Sequence, residues 1–159
     1  MAETQIRIGP AGTAAELEAA KALLIAYAES LDFDLGFQDF SAELADFPGK
    51  YAAPSGALLL AYLNGCPVGT VALRDLGDGF CEMKRLYVRP EGRGHGLGRR
   101  LVEQLIAEAG ARGYSAMRLD TVAGHHDDAI ALYRACGFRE IAPYCHNPLP
   151  DVLFMELPL

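Results

Sequence analysis

A loop rich in glycine and arginine separates a strand-like run, Phe80 to Val88, from a helix-like run, Gly98 to Ala109. Four alternating glycines, at 92, 94, 96 and 98, let the backbone adopt conformations closed to other residues and approach a ligand closely. The first turn of a helix adds free N–H groups and a partial positive charge. Strand, glycine loop and helix in this order therefore predict a site for a pyrophosphate.

Two familiar phosphate-binding loops fit this stretch less well. A P-loop ends in Gly-Lys-Ser/Thr, whereas this loop ends in Gly98-Arg99-Arg100. A dinucleotide-binding loop has G-x-G-x-x-G spacing early in a βαβ unit, but these glycines alternate strictly and follow half of the chain. Asp120 does stand at about the distance of an acidic ribose-binding residue. A glycine-rich surface turn is the alternative that needs no ligand.

Three segments in this order resemble the GNAT superfamily of acyl-CoA-dependent N-acetyltransferases. Residues 93–98 (Arg-Gly-His-Gly-Leu-Gly) fit its signature R/Q-x-x-G-x-G/A, and residues 82–90 look like its fourth strand. Residues 129–138 (Ala-Ile-Ala-Leu-Tyr-Arg-Ala-Cys-Gly-Phe) look like its A-x-x-L-Y-x-x-x-G-F segment. The match is firmest over residues 56–140. It implies acetyl-CoA as co-substrate and transfer of the acetyl group to an amine.

Size and charge restrict the class of protein further. The 159 residues, 51% hydrophobic and 22% charged, predict one globular domain over residues 1–159. A net charge of −7 disfavours a nucleic-acid partner. Apolar runs stay below the ~18 residues of a membrane span and the N-terminus lacks a signal peptide, which predicts a cytoplasmic protein without a membrane partner. No metal site is expected, because adjacent His125 and His126 point apart and the cysteines lack ligand spacing.

The element order βααββ–βαβαββ predicts an α/β fold with a mixed sheet. A capping box at Thr13 starts the first helix, and Asn64-Gly65 predicts a hairpin turn. The predicted strands span residues 5–8, 56–63, 68–73, 80–88, 116–121, 139–142 and 152–157, and the predicted helices span 13–30, 41–46, 98–109 and 127–135. The resemblance implies the GNAT fold: a mostly antiparallel sheet of six to seven strands, helices on both faces, and central parallel strands that splay apart. We expect a bulge near Arg85-Leu86 to cause the splay.

The resemblance also assigns residues to the cofactor. Loop N–H groups would bind the pyrophosphate, and the arginines would add charge. The main chain of Leu86 and Val88 would pair with the pantetheine arm, with the Val88 N–H donating to the thioester carbonyl. His126 stands where relatives often carry Asn, so it is either a cofactor contact or a helix cap. The predicted cofactor-binding residues are Leu86, Tyr87, Val88, Arg93, Gly94, His95, Gly96, Leu97, Gly98, Arg99, His126 and Tyr133.

Catalytic roles follow from the same resemblance. Glu82 matches a glutamate that acts as general base, and burial would raise its pKa towards neutrality. The alternative is an ordinary exposed or salt-bridged strand carboxylate. Tyr133 matches a tyrosine that protonates the departing sulfur; the alternative is a helix tyrosine packed on the sheet. Val88 completes the predicted catalytic set as the oxyanion donor, a role worth about 3 kcal/mol of barrier.

The acceptor is the least determined part of the prediction. In the family its site is walled by segments that correspond to residues 27–40 and 143–151. Acidic residues there, Asp32, Asp34 and Asp39, would attract a cationic amine, or else form a solvated loop. Tyr27, Phe33, Phe37 and Tyr144 are the predicted acceptor-binding residues. A small metabolite amine or amino acid is the first choice, and a protein N-terminus or lysine is the second.

Two other classes of function stay open. A non-catalytic acyl-CoA-binding or sensing module would use the same fold, although Glu82 and Tyr133 speak against it. A mononucleotide-binding α/β protein is the third reading. Many relatives dimerise, which allows a homodimer here.

Overall fold

The computed structural model describes residues 3–31, 33–36, 39–124 and 126–159. The strands are β1 (Ile6–Pro10), β2 (Ala57–Leu63), β3 (Cys66–Gly77), β4 (Phe80–Val88), β5 (Ala116–Val122), β6 (Arg139–Ile141) and β7 (Val152–Pro158). The α-helices are α1 (Ala14–Glu29), α2 (Phe40–Ala45), α3 (Leu97–Ala111) and α4 (Asp127–Ala135). The strands form one seven-stranded sheet in the order β1-β2-β3-β4-β5-β7-β6. Within the described ranges only β4 and β5 pair in parallel, so the predicted mixed, mostly antiparallel sheet is confirmed.

Helix α1 begins at the predicted capping box. The Thr13 side chain accepts a hydrogen bond from the Glu16 N–H at 3.2 Å, and the Glu16 carboxylate accepts one from the Thr13 N–H at 2.9 Å. The buried residues of the helix are Ala20, Leu23 and Leu24. They pack on one face of the sheet, against Leu58, Leu60 and Ala72. Tyr27, near the end of this helix, lines a cavity.

The other face of the sheet carries α3 and α4. Leu97, Leu101 and Leu105 of α3 are almost fully buried and belong to one cluster with Tyr133 of α4. The same cluster includes the inward-facing β4 residues Cys81 and Met83. The helices therefore cover both faces, as the fold prediction requires.

A bulge interrupts β4 where it was expected. Thr70 of β3 pairs with Tyr87 and Ala72 pairs with Lys84, so two residues of β4, Arg85 and Leu86, oppose one residue of β3. Arg85 has φ +62°, a left-handed conformation that costs a non-glycine residue roughly 1–3 kcal/mol. The bulge shifts the alternation of side chains by one for the rest of β4.

The parallel strands separate just before the bulge. β4 pairs with β5 only from Phe80↔Ala116 to Glu82↔Arg118. Beyond Glu82 the two carboxyl ends diverge and leave a gap in the middle of the sheet. The carboxyl ends of parallel strands are where ligands bind in many α/β proteins.

Two features of the described residues bear on alternative functions. None of the helices in this part of the chain is long and apolar enough to cross a bilayer. Among the same residues there is no group of three or more His, Cys, Asp or Glu side chains arranged to hold a metal ion.

Candidate active site

A groove of about 680 Å³ runs between the end of β4, the glycine loop and the start of α4. Its lining includes most of the predicted cofactor residues: Leu86, Tyr87, Val88, Arg93, Gly94, Gly96, Leu97, Gly98 and His126. His95 and Arg99 are exposed and lie outside this lining. Arg99 pairs with Glu103 one helical turn away, at 2.7 Å. The structure thus brings together the loop backbone, Arg93 and the main chain of β4.

The glycine loop is shaped to receive an anion. Gly94 and Gly96 have φ of +84° and +70°, which other residues adopt only at a cost. No heavy atom lies within 4 Å of the place that a Cβ would occupy at either position, so the space beside the loop is open. Gly96 is the N-cap of α3, and the first N–H groups of a helix have no acceptor within it. The loop therefore fits a pyrophosphate.

The end of β4 also presents its main chain to the gap. Arg89 N–H donates to the Val68 carbonyl of β3 at 2.7 Å. Because successive N–H groups of a strand point to opposite edges, the Val88 N–H points away from β3, towards the splay. Arg93 Nε donates to the Val88 carbonyl at 3.2 Å and so ties the loop to this strand end. An amide of this orientation fits the predicted role of Val88.

A cleft lies between the separated ends of β4 and β5 and continues the groove. The groove and the cleft share Tyr27, Leu86, His126 and Ala129 in their linings. The cleft's further lining residues are Phe33, Leu35, Met83, Lys84, Arg85, Leu119, Asp120, Thr121, Val122, Tyr133, Asn147 and Leu149. A ligand arm that follows the groove would therefore reach the cleft at Leu86 and Ala129.

Tyr133 lies inside the cleft, one turn along α4 from Ala129. Its side chain is buried, and burial, followed by Tyr27 and Asp120, raises its pKa above the ordinary 10. It therefore keeps its proton at neutral pH, as a proton donor must. Its ring also packs on Phe138 with centroids 5.8 Å apart. The structure is consistent with both interpretations of this tyrosine, donor and packing residue.

His126 occupies the N-cap position of α4 without a capping hydrogen bond from its side chain. Its Nδ1 lies 3.2 Å from Thr121 Oγ1 and accepts from the Val122 N–H at 3.5 Å. The ring packs edge-on to Phe33 with centroids 6.3 Å apart. His126 therefore stands at the junction of groove and cleft.

Glu82 is enclosed by polar partners. Arg74 Nε donates to its Oε1 at 2.7 Å, and the Tyr144 hydroxyl donates to its Oε2 at 2.6 Å. Lys84 Nζ lies 3.7 Å from Oε1. Burial raises the pKa of Glu82, but Lys84, the Tyr144 hydroxyl and Arg74 together lower it below its ordinary 4.5. The pKa of Glu82 is therefore shifted down, whereas burial alone was expected to shift it up. The geometry around Glu82 is that of a salt-bridged strand carboxylate.

Asp120 is a residue that sequence reasoning did not assign to the acyl-transfer chemistry. It belongs to β5, two residues beyond the last pairing with β4, and it lines the cleft. Asn147 Nδ2 donates to its Oδ2 at 3.0 Å. A signal was present: Asp120 alternates with buried Met117 and Leu119, which places it on the face of α1 and α2. The alternation does not show that this end of β5 borders a gap, because the gap arises from the splay of β4 and β5.

The predicted acceptor residues are divided by the structure. Tyr27 and Phe33 line the cleft, whereas Tyr144 bonds to Glu82 and packs on Phe154. Phe37 and Asp32 lie outside the described residues. Asp34 Oδ1 accepts the Gly36 N–H at 2.7 Å, and Asp39 is exposed.

The fold and the site together define an acyl-CoA-dependent transferase architecture, and sequence comparison gives the same class. Residues 20–138 match the model of the acetyltransferase (GNAT) family. The chain belongs to this family, whose members transfer acyl groups to amines.

Particular relatives share most of the chain. It is 41% identical over 159 residues to an uncharacterized N-acetyltransferase of Schizosaccharomyces pombe, covering 99% of this chain and 97% of that protein. It is 42% identical over 110 residues to the IAA acetyltransferase of Azospirillum brasilense, covering 68% of this chain and 71% of the relative. A solved structure of an acyl-CoA N-acyltransferase from Klebsiella pneumoniae superposes with a TM-score of 0.69 at 34% identity, over 98% of this chain and 97% of the other.

Proposed function

We propose that this protein transfers an acetyl group from acetyl-CoA to the primary amine of a small metabolite or amino acid, by direct attack in a ternary complex. One observation carries the proposal. The anion-binding groove and the polar cleft meet at Leu86 and Ala129, so that a donor and an acceptor can enter from opposite ends of one splay.

The residues of the groove hold and orient the donor. Loop N–H groups between Arg93 and Gly98 and the Arg93 guanidinium bind the pyrophosphate. The Val88 N–H, aimed at the gap, stabilises negative charge that develops on the acyl oxygen; such a donor is worth about 3 kcal/mol of barrier. Acetyl-CoA supplies the activated thioester. Tyr133, which keeps its proton at neutral pH, gives that proton to the departing sulfur.

A compact acceptor suits the cleft better than a long polypeptide. Apolar and aromatic side chains form much of its wall, including those of Tyr27, Phe33, Leu35 and Leu149. Charged and polar groups, Asp120 and Lys84, occupy the strand ends between these walls. A small primary amine with an apolar body satisfies both surfaces.

The test has two stages, a binding stage and a turnover stage. Thermal unfolding is measured with acetyl-CoA, CoA and ATP; we expect both CoA species to raise the midpoint and ATP not to do so. Free CoA production is then followed across a panel of small amines, amino acids and peptides. Chromatography is preferred to a thiol reagent, because Cys66 and Cys145 are exposed and would react with the reagent.

Each outcome separates the alternatives. Stabilisation by CoA together with turnover of a small amine supports the proposal, and turnover of peptides alone would move the acceptor to a protein. Stabilisation without turnover of any acceptor favours the sensing module. Stabilisation by ATP rather than CoA would contradict the interpretation of the glycine loop.

A further inference from the structure

Two carboxylates lie near the splay, and their surroundings differ. Glu82 belongs to the paired part of β4, is 1% exposed, and has partners on both oxygens. Asp120 belongs to the end of β5 that no longer pairs with β4, and it faces the cleft. Among the described residues, its hydrogen-bond donor is the neutral amide of Asn147. An acceptor that enters the cleft therefore meets the carboxylate of Asp120.

The orientation of Asn147 is fixed by a second bond. Its Oδ1 accepts the Leu149 N–H at 3.0 Å, so its Nδ2 is the atom turned to Asp120. We call residues 143–151 the clasp. Two side-chain hydrogen bonds attach the clasp to the carboxylates, one from Tyr144 to Glu82 and one from Asn147 to Asp120. A neutral donor leaves the charge of Asp120 in place, while a bonded Oδ2 limits the directions in which the carboxylate can turn.

From these contacts we propose that Asp120 binds the acceptor amine as its ammonium ion and takes the proton that this amine must lose, and that Glu82 is a positioning residue which anchors the clasp. The inference rests on the proposed acetyltransferase function and names the charge state of its acceptor. The attraction between an ammonium group and the Asp120 carboxylate is stronger inside the cleft than in bulk water, and it offsets part of the cost of removing both groups from water.

The proton balance of the reaction assigns each group one task. Of the three protons on the ammonium nitrogen, one passes to Asp120 and later to solvent. The nitrogen then forms a bond to the acyl carbon as the bond from that carbon to sulfur breaks. Tyr133 gives its proton to the sulfur, and the second ammonium proton, lost from the nitrogen as the carbon–sulfur bond breaks, returns to the Tyr133 phenolate. The third proton remains on the product amide.

The position of Asp120 relative to Tyr133 supports this division. Burial is the main cause of the raised pKa of Tyr133 and of Tyr27, the two tyrosines that face the cleft from α4 and α1, and the negative charge of Asp120 adds to both shifts. Its carboxylate therefore lies within electrostatic reach of the proposed proton donor.

The test compares Asp120→Asn with Glu82→Gln, with Asp78→Asn as the matched control. Asp78 is exposed in the turn before β4, and its φ of +56° is one that Asn tolerates. Asp120→Asn should lower kcat/KM by about 10²- to 10⁴-fold, the usual contribution of a general base. Stabilisation by acetyl-CoA should stay at the wild-type level, and Asp120→Glu should restore part of the activity. Asp78→Asn should match wild type.

The pH profile distinguishes a lost base from a damaged fold. In Asp120→Asn, kcat/KM should rise with pH in proportion to the neutral fraction of the amine, because only neutral amine can then react. Glu82→Gln and Tyr144→Phe should raise KM for the amine through a looser clasp and keep the wild-type profile. Other groups facing Asp120 are Lys84 and Arg85 of β4, Tyr27 of α1, His126 and Tyr133 of α4, and Tyr144 and Cys145 of the clasp.

Two results would overturn the inference. One is wild-type kcat/KM in Asp120→Asn. The other is a folded Tyr144→Phe or Glu82→Gln protein that binds acetyl-CoA normally and shows the neutral-amine profile, which would make Glu82 the base. Failure of the proposed function is recognised separately, because the wild-type protein would then release no CoA with any amine.

Discussion

Replacing Glu82 with Gln tests whether this carboxylate is mainly a structural anchor. The side chain of Glu82 is 2% exposed, and Arg74 Nε donates to it at 2.7 Å from a side chain that is 29% exposed. Gln keeps the size of the side chain but removes the charge. It leaves Arg74 and Lys84 facing a neutral group inside the protein, with Lys84 itself only 9% exposed.

The expected cost follows from the burial of this group. Removing one partner of a buried ion pair destabilises a protein by about 3–5 kcal/mol, because the remaining charge stays desolvated. That is a large share of a total stability of roughly 5–15 kcal/mol. With a urea m-value of about 2 kcal/mol/M, the unfolding midpoint should fall by roughly 1.5–2.5 M. The measurement is equilibrium urea unfolding at pH 7 followed by circular dichroism.

Glu103→Gln is the control variant, because it removes an ion pair of the same length at an exposed position. Arg99 Nε lies 2.7 Å from Glu103 Oε1, the same distance as in the Arg74–Glu82 pair, but these side chains are 55% and 54% exposed. Solvent screens such a pair, so the midpoint of this variant should remain close to wild type. Equal midpoints for Glu82→Gln, Glu103→Gln and wild type would refute the argument that burial makes the Glu82 cluster important.

The pH dependence of the stability difference between wild type and Glu82→Gln gives an independent check. The pKa of Glu82 is lowered by folding below its ordinary 4.5. A carboxyl group of this kind adds stability that is fully present above its unfolded-state pKa and is lost as pH falls through the folded-state value. The gap in unfolding free energy between wild type and Glu82→Gln should therefore be constant at neutral pH and narrow below about pH 4.5.

Three further predictions concern the donor site and α3. Tyr133→Phe keeps the packing on Phe138 and removes the hydroxyl proton. The kcat measured by turnover should fall, while the acetyl-CoA affinity measured by calorimetry should stay the same. An unchanged kcat across the pH range would leave Tyr133 as a packing residue only. Gly92→Ala would place a Cβ 2.8 Å from Val68 Cγ2 and 3.1 Å from Val88 Cγ1. This crowding should lower the unfolding free energy by about 1–3 kcal/mol and raise KM for acetyl-CoA. The control, Gly12→Ala, has open space around its Cβ and should change neither quantity. Gly110→Ala, inside α3 with open space at its Cβ, should stabilise the protein by about 0.5–1 kcal/mol in the same urea assay, and a loss of stability would show that the position is less open than its surroundings indicate.

Local signals in the sequence determined most of the fold. β4 and α4 begin and end at the predicted residues, because a turn or a glycine bounds each of them. The hairpin at Asn64-Gly65 has positive φ at both residues, as its type I′ prediction requires. The bulge at Arg85-Leu86 was expected from family resemblance and is confirmed by the pairing of β3 with β4. Element boundaries elsewhere differ by one or two residues, except that β3 extends four residues past its predicted end.

The surroundings of the acidic residues could not be predicted in the same way. Glu82 receives Arg74 from the neighbouring strand and Tyr144 from 62 residues further along the chain. Both partners depend on strand register and on the path of the clasp, neither of which is encoded near Glu82. Along β4, residues 82, 84, 86 and 88 share a face only until a bulge changes the alternation. The bulge places Leu86 and Val88 with the α3 cluster and leaves Tyr87 on the face of α1.

The bulge links the stability of the sheet to the existence of the site. A left-handed Arg85 is unfavourable by itself, yet its guanidinium is held by Glu43 of α2, with Nε–Oε2 at 3.0 Å and Nη2–Oε1 at 2.9 Å. Both side chains are at most 5% exposed, and the guanidinium also lies 5.1 Å from the Phe40 ring centre. This two-point contact is possible only when the bulge turns Arg85 to the α2 face. The same displacement shifts the alternation for the rest of β4, so the contact that stabilises the distortion also maintains the orientation of the Val88 N–H, which we propose as the donor to the thioester carbonyl.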